Sequence, residues 1–428
     1  MKKRNKYISW SIVLLAAVLA SSCEVQDQWI LDVPDAGSSS ILTGSVSLSE
    51  ECKYAFEGIY KVTQGNDLFG DTIVLRNTDD RISLFGIKEG SYFVLECGSK
   101  GNDILLEGYW RHAFNDNTGQ ARLVLHDAPG ILSGDTTITS VTFTGLTGNE
   151  NETVSAPLAI SLISRFTPRL RHDPFIIGAH RGGGRTSDKL PVSENSVEMI
   201  NYTKYFGSTG IEIDVRLTKD MIPVLYHDND LNIRLIQKGP LFGSIGDYKY
   251  SQLLTLVKLI HGEKIPTLEQ ALDAALENPF IKTVWLDMKD PEAISIVLPI
   301  QATYIDKAKK AGRELNILIG LPADDIYNSF RSYPGYQNIP SLCELSVDKV
   351  SAVNAKAWGF RWTQGLMADE VARMHSEGRK VLVWTLDVPE FTEVYATAGG
   401  NIQNKRFDGI LTNYPTVLAY YHYVRHNY

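Results

Sequence analysis

Residues 178–228 read GAHRGGGRTSDKLPVSENSVEMINYTKYFGSTGIEIDVRLTKDMIPVLYHD, and this stretch decides the fold of the C-terminal part of the chain. His180, the pair Glu212 and Asp214, and His227 each lie within or directly after a short apolar run. Parallel strands bring polar side chains to one mouth from such positions. The stretch therefore predicts a strand scaffold that gathers two histidines and two carboxylates at one site.

Strands and helices are predicted to alternate from residue 175 to residue 428, close to the usual length of a (β/α)8 barrel. The eight strand candidates are 176–179, 210–215, 223–226, 283–288, 316–321, 357–362, 380–386 and 409–411. The helix candidates are 196–206, 267–277, 294–312 and 368–377. The loop 216–222 is too short to hold a crossover helix, and residues 342–347 form an extra strand candidate. We therefore expect a distorted barrel.

The chain has 428 residues and a formal net charge of -8, with 43% hydrophobic and 21% charged residues. This composition is typical of a globular protein that is long enough for two or three domains. The acidic balance argues against nucleic acid as a partner, because binding to a phosphate backbone needs a basic face.

The N-terminus resembles an export signal. A basic segment at residues 1–6 precedes an apolar run at 8–20, which is too short for a typical membrane span. Small residues then precede Cys23, so residues 1–22 resemble a bacterial lipoprotein signal. Acylated Cys23 would anchor an exported chain to a membrane of the cell envelope. An ordinary secretory signal is the alternative, and residues 23–48 are predicted to form a polar tether.

Residues 49–168 contain short apolar segments that are separated by turn residues, a pattern that predicts a β-sandwich or a small antiparallel barrel. The strand candidates are 72–76, 91–95, 104–110, 121–125, 137–144 and 156–163. Aromatic residues of this region are expected to fill its core, with a ligand surface as the less favoured alternative. The charged segment 165–174 contains two prolines and is the predicted boundary with a second domain at 174–428.

Cys52, Cys97 and Cys343 follow Cys23, and their spacing does not match a zinc site. In an exported chain, a disulfide between Cys52 and Cys97 is possible because both belong to the β-rich region. We expect the cysteines to be buried or bridged, without a catalytic role.

Glu212 and Asp214 lie two residues apart on a predicted strand, so their side chains point to the same face. Adjacent carboxylates repel each other unless a cation lies between them, and oxygen ligands suit Mg²⁺ or Ca²⁺. Asp287 and Lys289 repeat this spacing, as a candidate third ligand and a partner for an anionic oxygen. The alternatives are a turn cap and solvent exposure for the first pair, and a buried ion pair for the second.

His180 and His227 each follow an apolar strand, and two histidines at one mouth suit general acid–base catalysis near neutral pH. A lone histidine is more often structural, but two of them beside carboxylates and cations favour catalysis. Arg181 is suited to hold a phosphate by two parallel hydrogen bonds. The glycines at 182–184 allow the backbone to approach a ligand closely.

Eight short motifs extend this set of residues. They are HRG at 180–182, ENS at 194–196, GIEIDVRLTKD at 210–220, VLYHD at 224–228, IPTLEQAL at 265–272, LDMK at 286–289, VLVWTLD at 381–387 and FDGILTN at 407–413. In this order and spacing they resemble the glycerophosphodiester phosphodiesterase family, from residue 175 to the C-terminus. The resemblance implies a distorted (β/α)8 barrel that hydrolyses glycerophosphodiesters to glycerol phosphate and an alcohol.

The resemblance also implies a role for each candidate side chain. It implies His180 and His227 as acid and base, Glu212, Asp214 and Asp287 as ligands of Ca²⁺ or Mg²⁺, Arg181 and Lys289 as phosphate contacts, Glu194 as an orienting or substrate-binding residue, and Trp384 on the glycerol side.

Three positions depart from the usual pattern of the family. Ser193 stands where the family usually has proline, which predicts a looser turn. Asp287 replaces glutamate, and one methylene less shortens its reach by about 1.3–1.5 Å. Asn413 replaces aspartate and removes a charge near the barrel mouth. None of these changes removes a proposed acid–base residue, so the sequence favours an active enzyme.

Two other functions stay open on the sequence. A phosphatidylinositol-specific phospholipase of type C or D uses a related barrel, and a membrane anchor keeps lipid substrates within reach. The other alternative is a non-catalytic binding module in which the β-rich region does the binding. The presence of both histidines and of the Glu212 and Asp214 pair argues against a binding module.

Overall fold

The computed structural model describes residue 34 and residues 40–149, 154–397 and 407–426. Cys23 and the predicted export signal lie outside the described residues, as does most of the predicted tether. Among the described residues, no helix is long and apolar enough to cross a membrane.

The β-rich region forms a closed antiparallel barrel whose strands neighbour one another in chain order. The strands are Gly58–Gln64 (β1), Thr72–Asn77 (β2), Ile82–Gly86 (β3), Ser91–Lys100 (β4), Asp103–His112 (β5), Thr118–Leu125 (β6), Thr142–Thr147 (β7) and Ala156–Ser164 (β8). Pairing of β8 with β1 closes the barrel. The prediction of an all-β domain is confirmed, and the architecture is a barrel. Neither β1 nor β3 was among the strand candidates.

Side chains fill the interior of this N-terminal barrel. Along β6, Ala121, Leu123 and Leu125 are buried and alternate with the outward Arg122 and Val124, as the strand period requires. Most aromatic side chains of the region are buried, some inside this barrel and others, such as Tyr92 and Tyr109, on its outer face, which supports a core role. Those in the barrel core are Phe56, Tyr60, Phe69, Phe93, Trp110 and Phe143.

The cysteines of the described residues are free thiols, so the possible disulfide between Cys52 and Cys97 is not formed in this structure. Cys52 and Cys343 are buried and Cys97 is half-buried. Burial raises the pKa of the Cys52 and Cys97 thiols to about 11, which makes them poor nucleophiles.

The second half of the chain forms the predicted parallel barrel of eight strands. They are Ile176–Ala179 (β9), Gly210–Leu217 (β10), Thr283–Met288 (β14), Asn316–Leu321 (β15), Ser341–Cys343 (β16), Ala357–Arg361 (β17), Lys380–Trp384 (β18) and Gly409–Thr412 (β19). Parallel pairing of β9 with both β10 and β19 closes the barrel. Three short strands, Pro223–Leu225 (β11), Asp230–Leu231 (β12) and Gly243–Ser244 (β13), lie outside it.

One strand assignment was wrong. The candidate at 223–226 is β11, which pairs antiparallel with β10 and is not a barrel strand. The turn before β11 is too short for a crossover, so the chain must return antiparallel. The extra candidate at 342–347 overlaps β16, which is the missing eighth strand between β15 and β17.

Helices connect the parallel strands, and each predicted helix is present with slightly different bounds. The helices of the whole described chain are Glu50–Ala55 (α1), Asn66–Phe69 (α2), Pro129–Leu132 (α3), Pro168–Arg171 (α4), Val197–Tyr202 (α5), Tyr250–Leu256 (α6), Leu268–Glu277 (α7), Ile294–Lys310 (α8), Asp324–Ser332 (α9), Val347–Ala352 (α10), Ala368–Ser376 (α11), Pro389–Thr397 (α12) and Pro415–His426 (α13). The side chain of Thr267 accepts a hydrogen bond from the Gln270 amide and caps α7.

An apolar seam joins the two barrels into one core. Outward side chains of the N-terminal barrel, including Phe85 and Tyr92, belong to the same buried cluster as Phe206 and the helix α13. The rings of Tyr92 and Phe206 meet edge to face at 5.5 Å, and Phe166 stacks on Tyr423 at 4.8 Å. Contacts of this kind fix the relative position of the barrels.

Phe206→Ala should lower the free energy of unfolding by about 3 kcal/mol, because it opens a cavity in the seam. Urea denaturation followed by circular dichroism measures this change, and both barrels should unfold in one transition. Leu146→Ala is the control, since this leucine is 40% exposed on the N-terminal barrel. A loss for Phe206→Ala no larger than that of the control would contradict the shared core.

Candidate active site

Strand register brings the predicted carboxylates together at the carboxyl end of the parallel barrel. Asp214 of β10 lies opposite Asp287 of β14, and Glu212 lies two residues before Asp214 on the same face. One oxygen from each of Glu212, Asp214 and Asp287 lies within 4.8 Å of the others. The shorter Asp287 side chain therefore reaches the group.

These three carboxylates fit a divalent cation. Glu212 Oε1 and Asp287 Oδ1 are buried without a hydrogen-bond partner, as expected of oxygens that ligate an ion. Burial, and then the charges of Asp214 and Asp287, raise the pKa of Glu212 well above its usual range. A hard cation bound by all three oxygens would remove this repulsion.

Lys289 supplies the positive charge in this structure. Its ammonium lies 2.8 Å from Asp214 Oδ1 and also pairs with Asp287. Burial opposes ionisation of Asp214, but Lys289 and then His227 hold the pKa of this carboxyl below its usual range. Asn195 Nδ2 donates to Asp214 Oδ2 at 2.7 Å and holds the carboxylate in place.

His180 follows β9, and a chain of two hydrogen bonds fixes its tautomer. Asn413 Nδ2 donates to Asp387 Oδ2 at 2.6 Å, so Asn413 Oδ1 faces His180 and accepts from Nδ1 at 2.7 Å. The unprotonated Nε2 then lies 3.7 Å from Glu212 Oε2. Burial, followed by the charge of Arg181, lowers the pKa of His180 to about 4. His180 is thus neutral at pH 7 and able to accept a proton.

His227 follows β11 and belongs to a second polar network. Its Nδ1 lies 2.6 Å from Asp228 Oδ1, and Asp228 also accepts from Arg234 and Asn232 at 2.7 Å each. Burial opposes ionisation of Asp228, but these hydrogen bonds lower the pKa of its carboxyl to about 2. Asp228 thereby orients the imidazole, and His227 lies close enough to Asp214 to favour its ionised form.

Arg181 and Glu194 form one buried unit. Arg181 Nη1 donates to Glu194 Oε1 at 2.7 Å, and the Arg181 amide donates to Glu212 Oε2 at 2.8 Å. The other oxygen of Glu194 accepts from the Thr186 amide at 2.6 Å and from Arg234 at 3.3 Å. Both oxygens of Glu194 are therefore engaged by the protein, which favours an orienting role over a contact with substrate.

Ser193 does not loosen its turn, contrary to the expectation from the missing proline. Its amide and hydroxyl donate to the two oxygens of Glu263 at 3.0 and 2.7 Å. The His261 amide donates to the Ser193 hydroxyl at 3.1 Å. Proline has no amide hydrogen and could not form the first of these bonds. In this chain the hydrogen bonds to Glu263 hold the turn in the place of a proline ring.

Side chains on the far side of the mouth complete the site. Trp384 ends β18, with the guanidinium carbon of Arg361 4.8 Å from its ring centroid and with its buried indole nitrogen free of partners. Glu344, which was not predicted, follows β16 and has a buried, unpartnered Oε1. Burial and then Asp287 raise its pKa well above the usual range. The misassignment of β16 explains why the sequence did not indicate Glu344.

An eight-stranded parallel barrel that gathers two histidines, three clustered carboxylates and two basic side chains at one mouth has the groups that metal-assisted chemistry on a phosphate ester requires. The model of the glycerophosphoryl diester phosphodiesterase family matches residues 180–417, more than half of the chain. The chain belongs to this family.

Known proteins similar to this chain include members from distant organisms. The glycerophosphodiester phosphodiesterase of Caldanaerobacter subterraneus subsp. tengcongensis is 24% identical over 57% of this chain and 96% of its own length. Glycerophosphodiester phosphodiesterase 1 of Homo sapiens is 32% identical over 26% of this chain, and the match spans 33% of the human protein. The crystal structure of a glycerophosphodiester phosphodiesterase from Parabacteroides distasonis ATCC 8503 is 25% identical, covers 58% of this chain and 97% of that chain, and has a TM-score of 0.45.

Lys289→Met should make stability depend on a divalent cation more strongly than in the wild type. Without the ammonium, two buried carboxylates lack compensation unless a cation binds. Replacing EDTA by millimolar Ca²⁺ should therefore stabilise the variant by about 2 kcal/mol more than the wild type, as measured by thermal unfolding. Lys307→Met, which removes an exposed ion pair with Asp273, is the control. Equal stabilisation of all three proteins by Ca²⁺ would contradict the compensating role of Lys289, and no stabilisation of any of them would contradict the cation site.

Proposed function

We propose that this chain hydrolyses glycerophosphodiesters to glycerol phosphate and an alcohol. The observation that carries the proposal is the convergence of His180, His227 and the three carboxylates at one barrel mouth of a chain that belongs to the phosphodiesterase family. Ca²⁺ or Mg²⁺, held by Glu212, Asp214 and Asp287, would polarise the phosphate and lower the pKa of a substrate hydroxyl.

The residues of the chain then divide the proton transfers. The free Nε2 of His180 takes the proton of a glycerol hydroxyl, and the hydroxyl oxygen attacks phosphorus. His227 gives a proton to the leaving alcohol. Water opens the resulting cyclic phosphate with the two roles reversed. Arg181 and Lys289 balance the negative charge on the phosphate, and Trp384 bounds the glycerol side of the mouth.

His180→Ala and His227→Ala should each lower kcat by roughly 10³-fold, since each removes a proton-transfer group. The far-ultraviolet circular dichroism should stay unchanged, because both side chains lie at the mouth and outside the barrel core. His126→Ala, on the exposed surface of the N-terminal barrel, should leave kcat unchanged. Near-normal turnover by either mouth variant would remove that histidine from the mechanism.

The acid limb of the kcat/KM profile should move when Asn413 is changed. The pKa of His180 is lowered to about 4, so its neutral form persists well below pH 7. Asn413→Asp places a carboxylate beside Nδ1 and stabilises the imidazolium, which raises this pKa. Activity should therefore be lost at a higher pH, by about 1 pH unit, in assays with glycerophosphocholine. An unchanged acid limb would contradict the assignment of His180 as the base.

A substrate panel separates this proposal from its alternatives. Glycerophosphocholine, glycerophosphoethanolamine, glycerophosphoinositol, lysolipids and phosphatidylinositol would be assayed with Ca²⁺, with Mg²⁺ and with EDTA. The proposal expects turnover of the glycerophosphodiesters that EDTA abolishes. Turnover of phosphatidylinositol alone would favour a phospholipase, and no turnover of any substrate would favour a binding module. Full activity in EDTA would remove the cation from the proposal.

We also propose that the chain is exported and held at the cell envelope by a lipid on Cys23. The basic, apolar and small-residue order of residues 1–22 supports this proposal. In a bacterial host, the wild type should incorporate labelled palmitate and sediment with membranes, and Cys23→Ala should do neither. Labelling that persists in the variant would contradict lipidation at Cys23.

A further inference from the structure

The loop at residues 183–190 lies between the HRG motif at 180–182 and the ENS motif at 194–196, and side chains of the N-terminal barrel contact it. Arg111 of β5 donates from Nη2 to the Asp188 carbonyl at 2.6 Å and from Nη1 to the Lys189 carbonyl. The Lys189 ammonium also pairs with Asp116, in the turn between β5 and β6. Arg111 of the N-terminal barrel thus binds the backbone of this loop in the parallel barrel, and Asp116 binds the Lys189 side chain.

Arg111 is a charged side chain that is almost completely buried. It is 2% exposed, and among the described ion pairs none joins it to a carboxylate. Burial of an unpaired guanidinium is unfavourable, so its stability depends on the hydrogen bonds that it donates. Its Nη1 and Nη2 groups both donate to loop carbonyls, which ties the charge of Arg111 to one conformation of the loop.

Hydrogen bonds connect the loop to Arg181, the proposed phosphate contact. The Asp188 carboxylate accepts from Arg185 Nη2 at 2.8 Å and from the Arg185 amide at 3.1 Å, which closes the loop on itself. The Thr186 amide then donates to Glu194, and Glu194 in turn holds Arg181. A shift of the loop would therefore withdraw one hydrogen bond from Glu194 and loosen the position of the carboxylate that holds Arg181.

We propose that Arg111 is a positioning residue and that the N-terminal barrel completes the active site by clamping the 183–190 loop. Through Thr186 and Glu194, the clamp sets the orientation of the Arg181 guanidinium. The catalytic consequence of this inference rests on the proposed phosphodiesterase function. The structural consequence, slow hydrogen exchange at the Thr186 amide, is independent of that function.

Arg111→Ala, compared with Arg122→Ala, tests the clamp. Arg122 lies on the neighbouring strand β6 and pairs with Glu107, so its loss removes a similar ion from the same barrel without touching the loop. In Arg111→Ala, deuterium exchange in peptides that cover Thr186 should quicken about tenfold, because a hydrogen-bonded segment is released. The value of kcat/KM for glycerophosphocholine should fall about tenfold. Arg122→Ala should change stability but neither readout.

Chemical rescue separates positioning from a general loss of stability. Guanidinium ion added to Arg111→Ala should restore much of kcat/KM, whereas ammonium ion at the same concentration should not, because it lacks a planar donor fork. Arg111→Lys keeps charge and stem and serves where the alanine variant does not fold. It should also quicken exchange at Thr186, since one ammonium cannot reproduce both hydrogen bonds.

Exchange at Thr186 that matches the wild type in either Arg111 variant would overturn the clamp, as would equal kinetic losses in Arg111→Ala and Arg122→Ala. Failure of guanidinium alone to restore activity would also count against positioning. A wild-type protein without diesterase activity would refute the proposed function, and the exchange measurement would still decide whether the clamp exists.

Discussion

Three carboxylates within 4.8 Å of one another, in the mouth of an apolar barrel, are the constraint on which the rest of the site depends. They cannot all be ionised without a positive charge among them. Lys289 supplies that charge in this structure by pairing with Asp214 and Asp287. The donor set of hard oxygens matches a divalent ion better than it matches one ammonium.

Around this charged centre, His180 and His227 are each oriented by hydrogen bonds to neighbouring side chains. Asp387 fixes the amide of Asn413, which fixes the tautomer of His180. Asp228 holds His227 in the same way from the opposite side. Arg181 is oriented in turn by Glu194, which accepts a hydrogen bond from the Thr186 amide of the 183–190 loop. Arg111 of the N-terminal barrel donates to the same loop. The β-barrel and the α/β barrel therefore form one structural unit.

Local periodicity was enough to predict much of the barrel and its mouth. The spacing of two residues placed Glu212 with Asp214, and Asp287 with Lys289, on common faces, and the strand register puts these pairs side by side. Strands β16 and β11 are both three residues long, so local pattern could not show which of them belongs to the barrel. The place of β16, and that of Glu344 directly after it, required the fold. Pairs that are distant in the chain, such as Ser193 with Glu263 and Arg111 with Lys189, leave no local signal.

The measurement that tests the central claim most directly is a phosphorus NMR time course of glycerophosphocholine with the wild-type protein and Ca²⁺. The account predicts a signal of glycerol phosphate that grows as the substrate signal falls, with choline as the other product and a cyclic phosphate as the transient species. Phosphocholine and glycerol as products would mean that the other ester bond is cleaved. That result, or a substrate signal that stays constant, would contradict the arrangement of acid, base and cation described above.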